Sequence, residues 1–287
     1  MKENKKAVMA ILKKNAKRQD KFENMVLNLA LRKMDGAKKD DCGVYYSKNQ
    51  KHLVMSSKTL EGEYVVKEGT QEIDDNAFWG CVFITKIVLP ESITTIGDEA
   101  FGRCLSLKGL TIPASVTKMG DNPFIGMDAD NLSVLSPDYA VEGKILYTAD
   151  KKRIVSCLTN AAMVIVPKTV TTIGDKAFAR RRELKKIVLP DGVKTIGEAA
   201  FADCDALEEV VIPATVNTIE RFAFAECDKL KKVTFAGEVK HLSRTALMDC
   251  DDLQYIYVPD GMAPKFSKQL HISPDSDILI LEETNKK

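Results

Sequence analysis

Apolar residues return along this chain at a long fixed interval. Phe stands at positions 78, 101 and 124, and again at 178, 201 and 224, so neighbours within each triplet lie 23 residues apart. Leu247 takes the next slot. Three positions after these landmarks come Cys81, Cys104, Met127, Arg181, Cys204, Cys227 and Cys250. Six positions after them stand Ile84, Leu107, Leu184, Leu207, Leu230 and Leu253. Apolar pairs such as Ile87/Leu89 and Val210/Ile212 follow, usually just ahead of a proline. A strict period of this length marks a coil of stacked turns, because each unit has an apolar edge that only its neighbours can cover.

Each unit also has an internal pattern. The alternation in Leu-x-x-Ile-x-Leu predicts a short strand with one face inward. The proline that follows ends ladder pairing, and the Ile-Gly beyond it predicts a second short extended piece. The segment Gly-Asp-Glu-Ala-Phe-Gly-Arg-Cys predicts one short helical turn, with Phe and Cys on the same face. The Phe of each coil is expected to stack on the Phe of the coil before it. Cys42–Ser56 and Gly143–Cys157 alternate around polar turns and predict β-hairpins. The expected organisation is a basic helical arm or cap over 1–40, a hairpin with three repeats over 41–142, a hairpin with four repeats over 143–261, and a cap and tail over 262–287. Within the first of these, Asp20, Glu23 and the face Phe22, Met25, Val26 and Leu29 predict a helix stopped at Gly36.

The repeat unit Leu-x-x-Ile-x-Ile-Pro-x-x-Val-x-x-Ile-Gly-x-x-Ala-Phe-x-x-Cys resembles the BspA-like class of leucine-rich repeats, over roughly Tyr64 to Pro259. The resemblance implies an α/β, strand-rich leucine-rich-repeat solenoid of about seven 23-residue coils. Hairpin insertions interrupt it, and a helical segment precedes it. The resemblance also implies adhesion or surface interaction with proteins, and a place at the cell surface or outside the cell. From the residues alone the reading is cytoplasmic. The apolar run Ala7–Leu12 is short and ends in Lys13-Lys14, unlike a secretory signal, and no apolar run is long enough for a membrane span.

Composition changes this picture little. The 287 residues are 45% apolar and 29% charged, with a net charge of +1, as in an ordinary globular protein. The charge is unevenly placed. Residues 1–40 hold 12 Lys/Arg against 5 Asp/Glu, or +7, and the remaining 30 against 36 give −6. The basic stretch Lys13 to Arg18 lacks interleaved aromatics, so a solvated helix is expected in preference to a nucleic-acid or lipid contact. A protein partner and a monomeric chain are expected.

Candidate chemistry is sparse. Seven cysteines form no C-x-x-C pair. Stacked in line they suit neither disulfides nor a tetrahedral metal cage, so buried thiols are expected. His52, His241 and His271 are scattered, and His52 reads as a polar surface residue on a hairpin strand. There is no G-x-G loop and no G-x-S-x-G elbow. No catalytic residue, metal or cofactor is therefore expected. Arg180, Arg181 and Arg182 break the pattern, because Arg181 occupies a cysteine slot. Either its coil edge is open and the side chain reaches solvent, or the trio contacts an anion or acidic partner. Trp79, Val82 and Phe83 are apolar where later copies are polar, and the N-terminal helix is expected to cover them, an exposed partner patch being the alternative.

A binding face follows from the strand geometry. The residues flanking the inward Ile point outward. They are Lys86/Val88, Lys186/Val188, Glu209/Val211, Lys232/Thr234 and Tyr255/Tyr257. Tyrosine anchors interfaces, so the Tyr255/Tyr257 end is the expected centre of recognition.

Overall fold

A computed structural model describes residues 34–127, 132–273 and 276–283. The chain winds into a solenoid, and each turn lays down a long strand, a two-residue strand and a run of tight turns carrying the landmark Phe. The long strands are β1 (Glu61–Val65), β2 (Phe83–Val88), β3 (Gly109–Ile112), β4 (Leu132–Val134), β5 (Met163–Ile165), β6 (Lys186–Val188), β7 (Glu209–Ile212), β8 (Lys232–Phe235), β9 (Tyr255–Pro259) and β10 (Leu279–Glu283). They form a four-stranded parallel sheet, β1 to β4, and a six-stranded parallel sheet, β5 to β10. This makes about ten turns rather than seven. The additional turns lack the landmark Phe, so the spacing that reveals the others does not mark them.

The two-residue strands repeat in strict register. Ile73 pairs with Ile96, and Ile96 with Met119; in the second block Ile173, Ile196, Ile219 and Leu242 follow one another. The glycine after the isoleucine has a steric cause. A Cβ on Gly97 would lie 2.5 Å from the Asp75 backbone nitrogen of the preceding turn. The Asp75 carboxylate occupies that space and accepts a hydrogen bond from the Asp98 N–H.

The Phe segments are not helical. Residues two before and two after the Phe adopt left-handed backbone, for example Glu99 and Arg103 around Phe101, and Ala199 and Asp203 around Phe201. The resulting turns divide the backbone donors into two sets. Ala77, Trp79 and Cys81 donate within their own turn, whereas Asn76, Phe78 and Gly80 donate to Asp98, Ala100 and Gly102 of the next. A helix would direct all six inward and leave successive turns unjoined. Left-handed backbone at a non-glycine residue costs about 1–2 kcal/mol, and the bonds between turns offset it.

The Phe column forms as expected. Phe78, Phe101 and Phe124 stack at 5.5 and 5.7 Å, with ring planes 9° and 8° apart. Phe178, Phe201 and Phe224 stack at 4.9 and 5.0 Å. The cysteines are free, and most are buried. Four of the five repeat thiols donate back to the Phe carbonyl of the preceding turn: Cys104 to Phe78, Cys204 to Phe178, Cys227 to Phe201 and Cys250 to Phe224; Cys81, in the first such turn, donates to the Ser57 carbonyl. Burial pushes the thiols of Cys104, Cys204 and Cys227 far up, and that of Cys250 to about 11.

At the far end, helix α1 (Ala263–Leu270) buries Phe266 and Leu270 against the second core, and Phe266 packs on Phe235 at 4.7 Å. The predicted N-terminal helix lies outside the described residues. Phe83 is 60% exposed, so it is not covered as expected. Trp79 is half-buried over Gly102, where a Cβ would meet its ring at 2.1 Å.

Phe201→Ala should cost about 3–5 kcal/mol, read as a shift in the urea unfolding midpoint. Ala199→Gly should raise stability by about 0.5–1 kcal/mol, because glycine relieves the left-handed strain. In the native protein, a thiol reagent should label Cys42 rapidly, Cys250 slowly and the buried cysteines only on unfolding, as mass spectrometry of labelled peptides would show.

Candidate functional site

Two places concentrate polar or exposed groups: the outer face of the long strands, and the joint between the two blocks. The outer face takes its order from the register. Lys186, Glu209, Lys232, Tyr255 and Leu279 lie side by side across the six-stranded sheet. A neighbouring row runs Ile165, Val188, Val211, Thr234, Tyr257 and Leu281. Parallel pairing without register slips produces these rows, since identical positions in successive turns must align.

The predicted face residues divide among several environments. Lys186 and Glu209 are exposed, as are Val188 and Val211. Lys86 is exposed and ion-paired with Glu63 at 2.9 Å, and Val88 is half-buried. These last two lie on the four-stranded sheet, apart from the rest. Thr234 does not point to solvent as expected; it is 8% exposed. Its cross-strand neighbour is Tyr257, and the Lys232 ammonium sits 4.8 Å from the centre of that ring. Tyr255 is 38% exposed, and its ring lies 6.5 Å from that of Tyr257. The sequence reading missed Met163, Ile165, Leu279 and Leu281, which extend the apolar rows at both ends. Alternation in Met163–Ile165 and Leu279–Leu281 is the signal for them.

The joint is built on the second hairpin, Ile145–Thr148 with Arg153–Cys157. Its side chains serve two cores. Leu146, Val155 and Leu158 pack with the first block, while Ile145, Tyr147, Ile154 and Cys157 pack with the second. The hairpin thus forms a wedge between the block ending in Phe124 and the block beginning at Phe178. Side chains span it. Ser156 Oγ donates to Asn122 Oδ1, and Asn122 Nδ2 donates to the Lys176 carbonyl at 2.5 Å. Lys176 pairs with Glu99. Burial lowers the Lys176 pKa, but the carboxylates of Glu99, Asp98 and Asp121 outweigh it and hold the pKa above the ordinary lysine value. Asp121 moves up, chiefly through burial and then through Asp175 and Asp98, despite an Arg153 guanidinium 3.1 Å away.

Arg181 closes this joint. It does not reach solvent as expected, because its side chain is 1% exposed and its coil edge is covered. Its Nη1 donates to the Met127 carbonyl at 2.6 Å and to Asn160 Oδ1 at 3.2 Å. In other turns a thiol reaches the carbonyl next door. Here the hairpin widens the gap, and a longer donor spans it. Arg180 lies over the Trp79 ring and near Asp203, and Arg182 faces Asp203 and Asp205. The trio is therefore engaged within the protein rather than forming a bare cationic patch.

One further cluster joins residues that are distant in sequence. His52 Nδ1 lies 3.3 Å from Glu72 Oε2 and 3.4 Å from Asp74 Oδ1. His52 was read as a plain surface residue, yet its two neighbours place three metal-ligating groups together. A spacing of 20 residues or more gives no local motif to find.

With the geometry established, comparison with known proteins places the chain. The BspA type leucine-rich repeat region matches residues 64–141 and 155–268, in 6 copies. The chain belongs to this family. No curated protein matches. Among solved structures, the fold is similar to a leucine-rich cell surface protein from Faecalibacterium prausnitzii, with TM-score 0.57, 22% identity, 76% of this chain and 63% of that one covered. It is also similar to the pneumococcal vaccine antigen PcpA, with TM-score 0.56, 20% identity, and 79% and 68% covered. A leucine-rich repeat protein from Eubacterium ventriosum gives TM-score 0.51, 25% identity, and 69% and 66% covered. This chain thus spans less than two-thirds of the length of the Faecalibacterium protein. Among the described residues, no helix is long and apolar enough to cross a membrane.

Replacing Arg181 by Met should destabilise the protein by about 1–3 kcal/mol, since the buried Met127 carbonyl loses its donor. Urea unfolding of R181M beside R182M checks this; the exposed Arg182 should contribute under about 1 kcal/mol.

Proposed function

We propose that this BspA-type solenoid is a non-enzymatic protein-binding module that receives its partner on the outer face of the long strands. The exposed, register-aligned row Ile165, Val188 and Val211, continuing to Tyr257 and Leu281, carries this reading. Contiguous apolar surface at the centre of a polar rim is what interfaces present. The row Lys186, Glu209 and Lys232 alternates in charge beside it and would fix orientation more than affinity. Tyr255 and Tyr257 are the anchors, being large, rigid and partly buried already. The description of the Faecalibacterium protein as a cell surface protein supports display at a cell surface, and the partner would then be a host or cell-surface protein. The binding unit is a single chain.

The charge split supports a second reading, in which the chain is an intracellular scaffold whose +7 arm docks an acidic partner. Deleting residues 1–20 separates the two, since it should abolish arm docking and leave strand-face binding unchanged.

For a captured partner, Tyr255→Ala with Tyr257→Ala should lower affinity by at least ten-fold in surface plasmon resonance, about 1.4 kcal/mol or more. Unchanged affinity in the folded double variant rejects this face.

A further inference from the structure

His52, Glu72 and Asp74 depart from the repeat together. Cross-strand pairing sets His52 beside Glu72 at the start of the first block. The equivalent pair in the second block is Arg153 beside Thr172. Four other turns carry Thr at the position of Glu72, namely Thr95, Thr172, Thr195 and Thr218. Four carry Gly at the position of Asp74, namely Gly97, Gly120, Gly174 and Gly197. Most turns therefore carry neutral residues at these positions, Lys118, His241 and Glu220 being the exceptions, and the first turn alone carries carboxylates at both, converging on one imidazole.

The His52 Nδ1–Asp74 Oδ1 contact is a long hydrogen bond, and the spacing of the three groups also fits a shared ion. A charge-assisted N–H···O bond measures about 2.7–2.9 Å, and Nδ1 can direct a single proton at only one acceptor. Here Nδ1 stands 3.3 and 3.4 Å from two carboxylates. A tetrahedral zinc with bonds of about 2.0–2.1 Å requires ligand atoms about 3.3–3.4 Å apart. The three ligand atoms all lie within 4.8 Å of one another. Asp74 is buried, which fixes one ligand, while His52 and Glu72 are partly exposed and give an ion access.

An open cleft of about 650 Å³ borders His52 and Asp74, with Ser47 and Asn49 on its wall, and it leaves room for water in the remaining position. Lys48 borders the same cleft, but it is exposed, where solvent screens its repulsion.

We propose that His52, Glu72 and Asp74 form a site for a divalent transition-metal ion, with zinc as the favoured ion. One imidazole and two carboxylates suit zinc; calcium requires six to eight oxygen ligands, and magnesium prefers oxygen in a strict octahedron. The site lies on the two-residue-strand side of the first block, distinct from the strand face. Its ion would tie the hairpin strand His52–Met55 to the first turn.

The test is calorimetric titration of zinc into the metal-free full chain. One ion per chain is expected. His52→Ala, and the double change Glu72→Thr with Asp74→Gly that restores the repeat pattern, should each weaken binding at least ten-fold. Circular dichroism establishes that the variants fold, and Asp74→Asn replaces the double variant if that one does not. Cobalt substitution provides a second readout: a spectrum without the intense thiolate charge-transfer band is expected. Absence of zinc uptake by the wild type, uptake unchanged in H52A, or a thiolate band each overturns the proposal.

Discussion

The structure depends on one requirement: every side chain must fit against the same position one turn away. The Phe rings meet it most plainly, lying nearly parallel at about the spacing of the strands. The other features follow from it. Glycine follows isoleucine because a carboxylate of the turn below fills the space. Cysteine sits three residues after Phe because a small, weakly polar donor can be buried and still satisfy the carbonyl beneath. The left-handed residues flanking Phe direct alternate N–H groups to the next turn. Burial of one isolated repeat would leave all these groups unmatched, so stability resides in the contacts between repeats.

Where this order is interrupted, the chemistry becomes individual. The second hairpin separates the two Phe columns, and the local replacements are long or strongly polar. Arg181 stands for a cysteine, and Asn122, Ser156, Lys176 and Glu99 link across the wedge. Buried charge is costly unless it is paired and hydrogen-bonded, and these groups are. Among the described residues no solenoid turn lies beneath the first hairpin, and the polar substitutions His52, Glu72 and Asp74 gather there, His52 and Asp74 bordering an open cleft.

How much of this the sequence discloses depends on repetition. The Phe columns, the strands after them and the buried thiols are legible because several copies say the same thing. Turns without a Phe, such as those of Leu132–Val134 and Leu279–Glu283, are hidden for want of the landmark. The left-handed backbone at Glu99, Arg103, Ala199 and Phe222 is hidden because these residues do not favour it. Arg181 misleads for a different reason: its slot predicts burial, its charge predicts solvent, and only the width of the joint decides. Lys186, Glu209 and Val211 are exposed as the alternation predicts, whereas Thr234, at an outward position in the same pattern, is buried.

The wedge hairpin has a mechanical consequence. A linear array of repeats ordinarily tolerates local breakage, since losing one interface leaves the remainder intact. Here a single strand, Arg153–Cys157, supplies Val155 to one interior and Ile154 and Cys157 to the other. Pulling it out strips both at once. The chain therefore resists tension as one rod, with no weak hinge at its midpoint.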